Sequence, residues 1–373
     1  MIFAAPELEP QEVEVLKAIE QLKGELNFAM PRRWLGVMRR NTFARAIQGS
    51  NSIEGYHVTM DDAVAAVEQE EPLNPRSKAW FAVSGYRSAM TLILQKADDP
   101  HFEYSADFLN ALQYMMTAYD LAKNPGRWRP GSIFVQNEAT GERVYEGPEA
   151  DLVPDLMSRL VESLNANERD SPLVNAAMAH LNLVMIHPYS DGNGRMARAL
   201  QTLVLARSGH NLHPIFISIE EYLGRNTQAY YDILAKVGGG SWQPTRSTKP
   251  WIRFCLTAHY RQVNTLKQRN QQIASLWDEM ERQASSGRIP ERSIASVVNA
   301  ALGYRIRNAN YRNAAEVSLV VAGRDLKAVV AAGLLVAKGE KRGRYYVASP
   351  ELKSIADRIP QPGEVADPFE KRA

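Results

Sequence analysis

Apolar residues return at three- and four-residue spacing along most of this 373-residue chain, a period that admits little besides packed helices. Residues 11–28 place Val13, Leu16, Ile19, Leu22 and Leu26 on one stripe, and similar patterns recur at 77–97, 105–121, 151–167, 172–186, 195–208 and 250–283. One interruption is β-like: the short runs 133–135 and 143–145 flank a turn at 137–141 and read as a hairpin. The expected fold is therefore mainly α with one small hairpin.

A chain of this length holds two or three domains. We read 1–100 as an N-terminal helical region, 101–285 as a core, 290–348 as a separate compact unit and 349–373 as a loose tail with Pro360, Pro362 and Pro368. The boundary near 285–290 is the linker-like SSGRIP. Beyond it come a helix around 293–302, a segment at 311–318, a helix from about 323 to 332, and two strands around a basic loop in LLVAKGEKRGRYYVA. That is the order of a winged helix-turn-helix, with Val329, Val330, Leu334 and Leu335 as core. Between Arg288 and Val347, eleven Lys/Arg face four acids. The excess suits DNA phosphates, and a protein-docking module is the equal alternative.

Other classes are narrowed by composition. A net charge of +2 is too small to imply nucleic acid or membrane for the whole chain. The longest apolar run, 328–337, falls far short of the ~18 residues a spanning helix needs, so no membrane partner is expected. The N-terminus lacks a basic region followed by an apolar core, and a cytoplasmic location is expected. A single cysteine, Cys255, excludes an intrachain disulfide and a Cys-based zinc site.

The chemistry concentrates in HPYSDGNGRMAR, residues 187–198, just after the apolar run 181–186. Gly192-Asn193-Gly194 stands before a new helix, where inward-turned N–H groups and the helix N-terminus favour a phosphate. Arg195 and Arg198, three apart, share a helix face and reach one polyanion together. Asp191 is a hard oxygen ligand suited to Mg²⁺, and His187 can take a proton near neutral pH. The combination fits transfer of a phosphate-containing group to a nucleophile that His187 activates.

The segment resembles the Fic family signature, HPFx(D/E)GNGRxxR, at every fixed position except Tyr189, where phenylalanine is usual. The resemblance runs from roughly residue 40 to 260. It implies a mainly helical Fic core with a β-hairpin flap, and transfer of AMP from ATP to a Tyr, Ser or Thr hydroxyl of a target protein. It further implies that His187 is the base, that Asp191 holds Mg²⁺, and that the nucleotide-binding stretch is Gly192, Asn193, Gly194, Arg195, Met196, Ala197 and Arg198. The hairpin at 133–145 resembles the Fic flap on which a target segment docks. Tyr230-Tyr231-Asp-Ile-Leu234 resembles the nucleoside pocket, with Tyr231 and Leu234 as contacts. Where some relatives carry an adenine-contacting asparagine this chain has Gly238, which leaves base selectivity open.

Upstream, Ser50-Asn-Ser-Ile-Glu54-Gly55 matches the (S/T)xxxE(G/N) pattern of the Fic inhibitory helix, here placed near 45–60. The resemblance implies that Glu54 pairs with Arg198 and takes the guanidinium fork that the ATP γ-phosphate would use. An autoinhibited adenylyltransferase is thus the first expectation. The alternatives are a DNA-binding regulator with the Fic core as nucleotide sensor, or a Fic enzyme that transfers another group or removes AMP. A homodimer is compatible with either.

Overall fold

The computed structural model describes residues 1–70, 77–136, 140–166, 171–209, 212–340 and 343–370. Part of the expected hairpin turn (137–139) and two cations of the basic loop, Lys341 and Arg342, lie outside the described residues. The chain divides into two compact units: residues 1–27, 42–263 and 366–373 form one, residues 28–41 and 264–365 the other. Residues 42–263 fall in one unit, with no division at 100.

In chain order the helices up to the second unit are α1 (Pro10–Ala29), α2 (Arg32–Ile53), α3 (Met60–Glu68), α4 (Lys78–Ala97), α5 (Ala106–Thr117), α6 (Val153–Asn165), α7 (Pro172–Ile186) and α8 (Asn193–Arg207). They are followed by α9 (Glu220–Arg225), α10 (Thr227–Gly238) and α11 (Lys249–Ser285). α7 and α8 are buried on nearly every side rather than along one stripe, and α8 takes polar residues such as Arg195, Arg198 and Gln201 into the interior with it. Around them pack Val83, Met90 and Ile93 of α4, Leu109, Leu112 and Met116 of α5, and Leu156 and Leu160 of α6. The turn between α7 and α8 is therefore anchored at both ends in core.

The hairpin strands β1 (Phe134–Gln136) and β2 (Arg143–Glu146) pair antiparallel, and β3 (Gly240–Ser241) adds to β2 in parallel. This third strand was not anticipated. It also accounts for Gly238, because a Cβ there would come within 3.1 Å of the Tyr145 ring and 3.2 Å of Met185 Sδ. Close packing under the hairpin keeps that position a glycine.

In the second unit lie α12 (Ile294–Ala301), α13 (Asn308–Ala315), α14 (Leu319–Ala331) and α15 (Pro350–Asp357). Strands β4 (Ile306–Arg307), β5 (Leu335–Lys338) and β6 (Tyr345–Ala348) form an antiparallel sheet in the order β4-β6-β5. Val297, Val298, Tyr311, Leu326, Val329 and Leu334 are buried there, while Val330 is only half-buried.

Three expectations change. Helix α2 ends at Ile53, so Glu54 stands in a turn that Gly55 completes at φ +76°, and a fresh helix starts only at Met60 with Thr59 as its cap. The third helix of the second unit begins at Leu319, because the Ser318 side chain accepts from the Val321 N–H. Residues 350–357 are helix rather than tail: Ser349 caps the first turn, Pro350 suits it, and Leu352, Ile355 and Ala356 bury one face. Among the described residues no helix is long and apolar enough to cross a membrane.

Candidate active site

His187 caps the C-terminus of α7 in the left-handed region, φ 51°, its N–H donating to the Leu183 carbonyl at 3.0 Å. Only a few per cent of non-glycine residues adopt that backbone, and such outliers gather at functional sites. Its Nδ1 lies 3.1 Å from the Val184 carbonyl, which can only accept. The ring proton therefore sits on Nδ1, and Nε2 keeps its lone pair. Burial holds this imidazole below the ordinary histidine range despite the Val184 carbonyl and the charges of Glu54 and Asp191. It is neutral at neutral pH, as a base must be.

The turn that follows is held by Asn193. Its Oδ1 accepts the Tyr189 N–H at 2.9 Å and its Nδ2 donates to the Tyr189 carbonyl at 2.7 Å. Asn193 thus has its side chain spent on the loop, leaving its N–H at the start of α8. Gly192 takes φ +82° as the cap of that helix. Met196 and Ala197 bury their side chains in the core, so only their backbone is left to serve a nucleotide.

Asp191 donates nothing and is gripped on both oxygens. Oδ1 accepts the Gly192 N–H at 2.6 Å, and Oδ2 is paired with Lys123. Burial alone would raise this carboxyl, but the Lys123 contact, the charges of Arg195 and Lys123, and the Gly192 N–H bring it below the usual carboxylate range. No cluster of three His, Cys, Asp or Glu side chains suited to a metal exists among the described residues. A lone hard carboxylate is nonetheless what a Mg²⁺ shared with phosphates requires, and the ammonium already on it shows that it accepts a cation.

Arg195 and Arg198 are completely or almost completely buried. Arg195 gives one N–H to the Met116 carbonyl at 3.2 Å, while its Nε and Nη2 find no hydrogen-bond partner among the described residues. Arg198 reaches back to the end of α2. Nε donates to Ser50 Oγ at 2.8 Å, and Nη2 donates to the Ser50 carbonyl at 2.9 Å and to Glu54 Oε1 at 2.7 Å. Its Nη1 has no partner among the described residues. A Cβ on Gly194 would collide with Glu54 Oε1, so the carboxylate lies against the first turn of α8, where a helix N-terminus receives anions.

Of the nucleoside-pocket candidates, Tyr230 is core, its hydroxyl 2.9 Å from His180 Nε2. Tyr231 is 43% exposed and donates to the Ile53 carbonyl at 2.8 Å, and Leu234 is half-buried. Tyr231 thus touches the residue just before Glu54.

Sequence reasoning passed over four contributors. Ser50 stood inside the quoted pattern without a role. Gln113 donates to the Asp191 carbonyl at 2.9 Å, and Lys123 pairs with the Asp191 side chain. Arg129, buried, donates to the carbonyls of His187 (2.9 Å) and Gly131 (2.6 Å) and to that of Pro148, tying both ends of the hairpin to the histidine. None of the last three lies within a local motif.

Residues 103–205 match the Fic/DOC family, so the chain carries a domain of that family. It is 25% identical over 273 residues to "Protein adenylyltransferase Fic" of Nematostella vectensis, covering 70% of this chain and 57% of that relative. Against "Protein adenylyltransferase fic-1" of Caenorhabditis elegans it is 26% identical over 211 residues, 56% of this chain and 40% of that one. The chain thus spans about half the length of these curated relatives. The fold matches the crystal structure of a Fic family protein from Desulfovibrio desulfuricans G20, with TM-score 0.59 and 21% identity over 93% of this chain and 98% of that one.

Proposed function

We propose, for a chain whose residues 103–205 are a Fic/DOC domain, a protein adenylyltransferase that Glu54 holds in check. The observation that carries this reading is the pair of buried guanidiniums, Arg195 and Arg198, which have N–H groups without a hydrogen-bond acceptor among the described residues, beside Gly192 and Gly194 at the N-terminus of α8. Burying such charges without a full set of partners is costly, and a polyanion supplies the missing acceptors. The names of the relatives point the same way.

In this mechanism Arg195, Arg198 and the first N–H groups of α8 hold the β- and γ-phosphates of ATP. Tyr231 and Leu234 line the nucleoside side. Asp191 would hold Mg²⁺, which when bound neutralises charge on the α- and β-phosphates. An extended target segment pairs with β1, the outer strand of its sheet. His187 Nε2 takes the proton of the target hydroxyl as its oxygen bonds to the α-phosphorus. The bond from that phosphorus to the bridging oxygen breaks, and pyrophosphate leaves. Glu54 opposes this by occupying Arg198 and the helix N-terminus, so the γ-phosphate is turned aside.

The second unit reads as a winged helix-turn-helix. Leu319 and Val320, 61% and 71% exposed at the start of α14, favour a protein partner at that helix over base contacts.

The test is incubation of wild type, Glu54→Gly and Glu54→Gly/Arg198→Ala with α-labelled ATP and a cell lysate. Label on protein is expected to rise in Glu54→Gly and to fall back in the double variant. A Glu54→Gly protein no more active than wild type removes Glu54 as the brake. Absence of label from every variant removes the transferase.

A further inference from the structure

The carboxylate read as the metal ligand already has a cation on it. We propose that Lys123 is a further residue of the transfer site, the resident counter-ion of Asp191, which a divalent cation must displace to bind. The proposal rests on the reading of Asp191 as that ligand.

Lys123 is seated rather than loose. It ends a short turn, Leu121–Lys123, after which Asn124 takes a left-handed backbone at φ 49°. Besides Asp191 Oδ2, its ammonium donates to the Tyr56 hydroxyl at 3.2 Å. Tyr56 in turn accepts from the Tyr119 hydroxyl at 2.8 Å. Lys123 and Asp191 are each about a quarter exposed, at 23% and 24%, so the pair is shielded from water yet open to an incoming ion.

Both Asp191 oxygens accept a direct contact, Oδ1 from the Gly192 N–H and Oδ2 from Lys123, while the fully buried Arg195 stands farther off at 3.9 Å. The Gly192 N–H on Oδ1 is part of the turn. Lys123 on Oδ2 is a flexible side chain, and an ammonium is a compact point charge like the ion that would replace it. Arg195 Nη2 faces the same oxygen from beyond hydrogen-bond reach, so a metal ion arriving there meets two positive charges and is repelled unless the ammonium in direct contact moves away. Metal alone therefore binds weakly. A metal arriving with a triphosphate binds well, because the displaced ammonium finds phosphate oxygens beside it.

One segment sets this arrangement. Tyr56 lies two residues after Glu54, and its ring centroid is 5.0 Å from the Arg195 guanidinium carbon and 5.9 Å from Lys123 Nζ. Glu54 occupies one side of the cradle through Arg198, and Tyr56 steadies the other through Lys123. Relieving Glu54 leaves the Lys123 contact in place.

The experiment titrates the nucleotide-free, full-length chain with Mn²⁺ alone, following loss of the free-ion EPR signal. Wild type, Lys123→Met, Lys123→Gln, Lys123→Arg and each with Asp191→Ala are compared. The Asp191-dependent binding is expected to tighten about tenfold in Lys123→Met and Lys123→Gln, the scale on which one charge-assisted contact shifts an equilibrium. Lys123→Arg, which keeps the charge, is expected to stay within about twofold of wild type. Neutral variants that bind no more tightly than wild type, while Asp191→Ala still weakens binding, overturn the counter-ion role and leave Asp191 as ligand. Binding that Asp191→Ala leaves unchanged in every background overturns both.

Discussion

Each unit buries an acid beside an arginine, and the two acids ionise in opposite directions. In the second unit Asp325, 2% exposed, takes a fork from Arg292: Nε at 2.6 Å and Nη2 at 2.8 Å, with the Tyr311 hydroxyl adding a third bond at 2.8 Å. The Arg292 bonds outweigh burial, and Asp325 stays below the usual carboxylate range. In the first unit Glu220 is 1% exposed near Arg198, yet burial pushes it up to about 7 against the pull of Tyr86, Arg198 and the Thr202 and Ser218 hydroxyls. The difference lies in where the guanidinium spends its hydrogen bonds. Arg292 gives its fork to the acid, whereas Arg198 gives its own to Ser50 and Glu54. An arginine reserved for an exchangeable partner leaves its other neighbour easier to protonate. One pair supports a fold; the other is poised for a ligand.

The largest expected effect separates these roles outright. His187→Ala should lower transfer by about 10²–10⁴, the usual worth of a general base, with nucleotide binding and thermal stability little changed. Calorimetry and a label assay on one preparation check both halves. Normal transfer from this variant would break the mechanism.

Next comes pH. Glu220 has a folded pKa above its unfolded 4.5, so folding favours its protonated form. Stability linked to it is full below about 4.5, falls as pH rises to about 7 and is level beyond, a span of roughly 3 kcal/mol. Urea unfolding across that window should be flatter in Glu220→Gln. Asp325 works in reverse: its depressed pKa contributes stability above about 3.8 that is lost in acid.

Asp325→Asn should cost about 2 kcal/mol in the second unit, discounted from a fully buried pair because Arg292 is 49% exposed. Transfer should be untouched. Loss of transfer with folding intact would blur the contrast between a structural pair and a poised one.

The smallest stability effect belongs to the basic loop, where Lys338 and Arg344 are exposed. Neutralising Lys338, Lys341, Arg342 and Arg344 should change stability by less than about 0.5 kcal/mol. If the unit binds duplex DNA, the same change should weaken binding and flatten its salt dependence. No shift of any duplex by wild type at low salt leaves only protein docking.

The eleven basic residues that drew attention to the second unit illustrate the reach of composition. Arg292 is spent on Asp325 and Arg288 on Glu351. Arg305 lies 4.7 Å over the Tyr345 ring. A count of charges does not distinguish those that face solvent from those that hold the unit together.

What the sequence determined by itself was local. Helical periods at 172–186 and 195–208, the glycines and asparagine of a tight turn, and an arginine pair at i,i+3 follow from neighbours a few residues apart. So does the hairpin, from two β-prone runs. Glu54 beside Arg198 was legible only because a recognisable pattern named both partners; they are 144 residues apart and 2.7 Å in space. Tertiary structure alone decided the rest. Lys123 meets Asp191 across 68 residues, Arg129 meets His187 across 58, and Gln113 meets Asp191 across 78. The raised pKa of Glu220 likewise depends on burial and on bonds Arg198 makes elsewhere. Such contacts have no period and no spacing, because they arise where separately folded helices happen to face one another, and packing rather than chain order chooses the partners.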